Sequence, residues 1–142
     1  MYRVTTDRAQ LDRDLIHQWL SGESYWAAGI PRHLVERSIE HSLCFGLMDD
    51  RSQVGFARAI TDYATFAYIA DVFVLPAHRG HGLGKLLMQA IREHPALQDI
   101  RRWSLVTRDA HRLYEQFGFT ALANPQRHME AVRSNPYADR KD

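Results

Sequence analysis

The sequence contains one cysteine, Cys44, so no disulfide can close within the chain and a reducing, cytoplasmic setting is expected. Cys44 lies in the apolar run Leu43-Cys44-Phe45, which suits a buried, inert thiol better than a nucleophile. Lysine is scarce: of 18 basic residues, only Lys85 and Lys141 are not arginine. No apolar run approaches the roughly 18 residues of a membrane-spanning helix. The N-terminal Met1-Tyr2-Arg3-Val4-Thr5 lacks the apolar stretch of a secretory signal. Charge is balanced too, at a formal net of +1, which provides no field for nucleic acid or an anionic membrane; neither is expected as a partner. Histidine is not lacking, with eight residues, but the close pair His78 and His81 has no second pair or cysteine cluster to complete a zinc ligand set. No metal is expected.

What remains is ordinary globular composition, 142 residues with 45% apolar and 25% charged, enough for one buried core. Tyr2 to Thr6 reads as a strand. Asp7 and Gln10 resemble a capping pair for a helix with an apolar stripe at Leu11, Leu15, Trp19 and Leu20. A loop from Ser21 to Ile30 holds Tyr25 and Trp26, and Pro31 suits the first position of a second helix carrying Leu34, Val35 and Ile39. Leu43 to Met48 and Gln53 to Ile60 read as paired strands, and Phe66 to Leu75 as a buried strand ended by Pro76. A helix opening near Gly82 places Leu83, Leu86, Leu87, Ala90 and Ile91 on one face, and Pro95 stops it. Trp103 to Thr107 is another strand. Asp109 can cap a helix with Ala110, Leu113, Tyr114 and Phe117 on one face. Phe119 to Ala123 and His128 to Val132 read as a final strand pair. One domain over residues 1–133 is expected, with a tail from Ser134 to Asp142.

The chemistry concentrates where a buried strand runs into Pro76-Ala77-His78-Arg79-Gly80-His81-Gly82-Leu83-Gly84-Lys85. Unpaired N–H groups at a helix N-terminus and the helix dipole favour an anion there, and glycine lets the backbone approach a pyrophosphate. Arg79 and Lys85 add charge at both ends. A Walker loop needs four residues between its glycines and then Gly-Lys-Ser/Thr, which is absent. A dinucleotide fingerprint needs glycine where Lys85 stands. The stretch does fit Arg-x-x-Gly-x-Gly at Arg79, Gly82 and Gly84. About thirty residues on lies Leu113-Tyr114-Glu115-Gln116-Phe117-Gly118-Phe119.

Together and in this order, the two stretches resemble the GNAT superfamily of acyl-coenzyme A N-acyltransferases, whose cofactor motif matches the first and whose Leu-Tyr-x-x-x-Gly-Phe signature matches the second. The resemblance covers about residues 1–133. It implies an α/β (α+β) domain whose central, mixed and mostly antiparallel twisted sheet has about six to seven strands, flanked by about four helices. It also implies transfer of an acetyl group from acetyl-coenzyme A to a primary amine of a small molecule or protein, with a homodimer left open. The backbone near Phe73 and Val74 would hold the pantetheine arm, and residues Arg79, Gly80, His81, Gly82, Leu83, Gly84 and Lys85 the pyrophosphate. Thr107 stands where many members carry an asparagine that helps hold the cofactor arm. A non-catalytic acyl-coenzyme A sensor using the same pocket is the alternative from another class.

On this resemblance Tyr114 is the candidate general acid for the departing thiolate. A phenol near pKa 10 donating to a thiol near 8.5 works uphill by about 1.5 units, roughly 2 kcal/mol. Its apolar neighbour Leu113 also fits a packed core aromatic. Asp71 is the only charged residue between Ala64 and Leu75. It could bind the acceptor ammonium, accept its proton, or pair with an arginine, because an isolated buried carboxylate is costly. Tyr25, Trp26, Tyr63 and Tyr68 could form an aromatic acceptor pocket.

Overall fold

The computed structural model describes residues 1–138. Five strands form one sheet in sequential order: β1 (Tyr2–Thr5), β2 (Leu43–Asp49), β3 (Ser52–Thr61), β4 (Phe66–Val74) and β5 (Arg102–Leu105). The first four are antiparallel neighbours, and β5 pairs parallel to β4. Helices α1 (Arg13–Gly22) and α2 (Arg32–Glu40) connect β1 to β2, α3 (Leu83–Glu93) is the crossover from β4 to β5, and α4 (His111–Glu115) follows β5. The expected α/β class and mixed sheet are therefore present, with five strands among the described residues rather than six to seven.

Period-two alternation divides the core between the two sheet faces. Phe45, Leu47, Ala57, Ala59 and Ile69 pack with Leu83, Leu87, Met88 and Ile91 of α3. Cys44, Phe56 and Phe73 pack on the other face with Ile16 and Leu20 of α1 and Val35 and Ile39 of α2. Ile69 and Phe73 would share a face in a regular strand, yet they lie in different clusters. The cause is a bulge: Phe56 opposes Phe73 and Arg58 opposes Ala70, so β4 carries one more residue than β3 across this interval. Asp71 within it has φ 55°. An extra residue reverses the alternation beyond it. Phe73 is thereby turned onto α1, where it stacks on Trp19 with ring centroids 4.3 Å apart.

Several expected details differ. Asp7 caps a 3-10 turn, Arg8–Gln10, and Asp12 caps α1 by accepting from Leu15 N at 3.0 Å. The buried side chains of α1 are Ile16 and Leu20, with Leu15 only partly buried. Pro31 is the cap of α2 rather than its first residue. Asp109 does not cap α4; the Ala110 N–H donates to Thr107 Oγ1 at 3.0 Å.

The final strand pair does not form. Residues 119–123 and 128–132 are irregular, and the sheet ends at β5. A strand is held by burying alternate side chains against a neighbour. Here Met129 is 97% exposed and Val132 77% exposed, and Pro125 opens a 3-10 turn between the two segments. Of the expected tail, residues 134–138 form a turn closed by Ala138 N donating to Asn135 O at 3.3 Å. Its last residues, 139–142, lie outside the described residues.

Candidate active site

β4 outruns its parallel partner. Pairing with β5 spans Phe66↔Arg102 to Ile69↔Leu105, whereas β4 continues to Val74 and then bends at Pro76. Backbone from Ala70 to Val74 thus has β3 on one side and no β5 residue on the other. The two strands diverge into a cleft, and the glycine loop and α3 begin at its end.

Gly82 caps α3 with φ 71°, and Gly80 has φ 88°; both are left-handed conformations that L side chains rarely adopt. The cap has no side-chain hydrogen bond, so the first N–H groups of α3 remain available for an anion. Gly84 serves packing instead. A Cβ there would lie 3.1 Å from Leu113 Cδ2, so its absence lets α4 approach α3. Arg79 folds back to donate from Nε to Val74 O at 3.0 Å, bracing the loop against the strand end. Val74, Arg79, Gly80, Gly82, Leu83, Gly84 and Lys85 all line one cavity of about 310 Å³. This combination of left-handed turns, open helix N-terminus and two cations fits a pyrophosphate. The side chains of two other residues named from the sequence point elsewhere, which leaves only their backbone to the cleft. His81 lies beside Tyr2, with ring centroids 6.1 Å apart, and the Phe73 side chain is buried against α1.

On the far side of the cleft a second cavity, of about 400 Å³, brings together Tyr25, Trp26, Tyr68, Asp71, Thr107 and Tyr114. Tyr63 is elsewhere: it is 47% exposed in the β3–β4 hairpin. The ring of Tyr114 is buried edge-on to Phe119, and its hydroxyl has no hydrogen-bond partner among the described residues. Burial pushes the phenol above its ordinary pKa, and Tyr25 and Asp109 act in the same direction, so the group stays protonated and able to donate.

Asp71 is not a free carboxylate. Arg58 Nε donates to its Oδ2 at 2.6 Å, and Trp26 Nε1 donates to its Oδ1 at 2.7 Å. Arg58 Nη1 donates in turn to Ser42 Oγ at 2.9 Å. The pairing with an arginine, one of the readings the sequence leaves open, is thus present, and the same carboxylate lines the cavity with Tyr114. Trp26 is therefore tied to the β4 bulge, and its indole extends an aromatic row through Trp19 to Phe73. Arg58 is the residue the sequence reading missed. Its signal was a lone cation in the apolar stretch Val54 to Ile60, matched by the lone anion of the next strand. Arg108, placed 4.0 Å over the Tyr25 ring, had no comparable signal.

The profile of the Acetyltransferase (GNAT) family matches residues 13–119, which include the glycine loop and Tyr114. The chain belongs to the GNAT family. This GNAT chain is 37% identical over 135 residues to a Gibberella zeae protein named "Putative acetyltransferase FG08082", covering 80% of the chain and 75% of that protein. A Xanthomonas campestris pv. campestris crystal structure, described as a putative acetyltransferase belonging to the GNAT family, is 54% identical. It covers 97% of both chains at a TM-score of 0.94. The fold is also that of AAC(6')-Iy in complex with a bisubstrate analogue, CoA-S-monomethyl-acetylneamine. That likeness has 17% identity and a TM-score of 0.64 over 94% of this chain and 98% of that one. No helix among the described residues is long and apolar enough to cross a membrane.

Proposed function

We propose that this GNAT chain is a cytoplasmic N-acetyltransferase that moves an acetyl group from acetyl-coenzyme A to a primary amine of a small molecule or protein by direct attack in a ternary complex. The observation that carries this reading is Tyr114, whose hydroxyl has no hydrogen-bond partner among the described residues and which lines a cavity beside a cleft that leads to a phosphate-ready helix N-terminus. When bound, the thioester supplies the acetyl group: the amine nitrogen forms the new amide bond, the C–S bond breaks, and the thiol leaves with a proton.

The chain's own residues have separable tasks in this reading. Backbone from Gly80 to Lys85, with Arg79 and Lys85, holds the pyrophosphate. The β4 backbone near Phe73 and Val74, which has no β5 partner, is available to the pantetheine arm. Donors fixed in advance around the reacting carbonyl are usually the largest electrostatic contribution to acyl transfer. Tyr114 gives its proton to the departing sulfur and regains it from solvent. Thr107 contributes cavity wall, since its hydroxyl already accepts from Ala110 N.

Asp71 acts on the acceptor side in this reading. With both oxygens engaged, it serves better by holding Trp26 and Arg58 in the acceptor wall than by taking the amine proton itself. Trp26, Tyr25 and Tyr68 supply aromatic faces to a cationic or apolar amine. The test is release of free thiol from acetyl-coenzyme A across a panel of primary amines, with and without protein. An amine-dependent release that falls about tenfold or more in Tyr114→Phe supports transfer. Tight coenzyme A binding without release for any amine would favour a sensor.

A further inference from the structure

A second concave site lies at the opposite end of α3. Arg92 near the C-terminus of that helix, Arg101 and Arg102 at the start of β5, and Arg127 with His128 after α4 border one cavity of about 710 Å³. Among the described residues, no aspartate or glutamate lines it. Among the described residues, none of these four guanidinium groups has a carboxylate within salt-bridge distance. The chain has 17 acidic residues and a net charge near zero, so the lack of a counter-charge here is local.

Part of the cluster is held in place. The Arg92 guanidinium sits 4.7 Å from the Trp103 ring and 5.8 Å from the Phe119 ring. Arg102 Nη2 lies 3.4 Å from His128 Nε2. Like charges gathered in a concavity repel one another, while low-dielectric walls focus their field on the space between them. Guanidinium forks match phosphate and carboxylate oxygens two at a time. The cofactor loop is too distant to share this charge: Gly82 and Arg92 are ten residues apart on one helix, about 15 Å along its axis.

We propose that this cavity binds a small molecule bearing a multiply charged oxyanion, a phosphate ester or a polycarboxylate, through Arg101, Arg102 and Arg127, with Arg92 as the fixed member. The site is independent of the acetyl-transfer reading. Inorganic pyrophosphate and citrate are titrated by calorimetry at low salt, both alone and with coenzyme A present to occupy the glycine loop. One-site binding is expected for at least one probe. It should weaken at least tenfold in Arg101→Gln/Arg102→Gln and in Arg127→Gln, and stay unchanged in Arg37→Gln on the exposed surface of α2. Preference for pyrophosphate assigns the phosphate class, and preference for citrate the carboxylate class.

Absence of binding by both probes would overturn the proposal, as would binding indifferent to substitution of Arg101, Arg102 and Arg127 or lost equally in Arg37→Gln. So would an oligonucleotide that binds far more tightly than either probe with the same arginine dependence. If the double variant fails to fold, Arg127→Gln alone decides, because its exposed side chain carries no packing. Should coenzyme A itself fail to bind, the acetyl-transfer reading falls, while the arginine dependence of probe binding still judges this site.

Discussion

Replacing Asp71 with asparagine removes one negative charge from a network whose donors lie 2.6 and 2.7 Å from its two oxygens. The Arg58 and Asp71 side chains are only 16% and 9% exposed. Arg58 would stay charged and largely out of water, facing an amide in place of a carboxylate. Breaking a buried pair from one side costs about 3–5 kcal/mol, a large share of the roughly 5–15 kcal/mol that holds a domain folded. At about 2–4 °C per kcal/mol for a chain of this size, the melting temperature should fall by about 6–20 °C. Trp26 would keep an acceptor in the amide oxygen, so most of the loss should come from Arg58. Urea unfolding of Asp71→Asn, Arg58→Gln and the double variant measures it. The double variant should be more stable than the sum of the singles predicts, because it leaves no unpaired charge. A midpoint for Asp71→Asn indistinguishable from that of the unaltered protein would refute the reasoning. Kinetics on the same variant then separate site from fold. Raised acceptor KM with unchanged coenzyme A affinity is expected, whereas a large stability loss with unaltered acceptor kinetics would remove Asp71 from the active site.

Tyr114→Phe should keep coenzyme A affinity and the urea midpoint, since the lost hydroxyl bonds to none of the described residues, while kcat drops about tenfold or more; lost stability with retained turnover would make Tyr114 a core residue. Because its phenol is raised above its ordinary value, activity should persist past pH 10 before the acid is lost, as a pH–rate profile would reveal. Gly82→Val places a branched side chain at φ 71° and should abolish coenzyme A binding in calorimetry while circular dichroism stays native. Asp62 accepts from Ala64 N, Thr65 N, Thr65 Oγ1 and Phe66 N in the β3–β4 hairpin, which holds its carboxyl well below the usual range. Its folded pKa is depressed, so its contribution is complete above the unfolded value of about 3.9 and fades as the pH falls below it. Asp62→Ala should therefore be less stable than the unaltered protein at pH 7 and approach it below pH 4 in thermal melts. Burial pushes the Cys44 thiol up to about 11, and a thiol reagent at pH 8 should label it only after unfolding.

Local chemistry was enough to determine much of this protein. The stripe Leu83, Leu87 and Ile91 specifies α3 because helical spacing alone assembles an apolar face. Pro76 and the glycines end β4 and open the anion-ready turn through backbone restrictions carried in consecutive residues. The paired glycine and Leu-Tyr motifs, resting on short-range patterns, indicated the family. Other features depended on partners far apart in the chain. A bulge is a difference in residue count between two strands, so neither β3 nor β4 alone could announce it, yet it reverses the alternation and sends Phe73 to α1. The destination of Asp71 was equally hidden, because its partners Arg58 and Trp26 belong to another strand and a distant loop. The direction of the His81 side chain, towards Tyr2, was hidden as well, because that partner lies on the first strand. Residues 119–123 and 128–132 have some strand character, but a strand exists only where its side chains find a surface to cover. Met129 and Val132 find none among the described residues, and the sheet stops at β5.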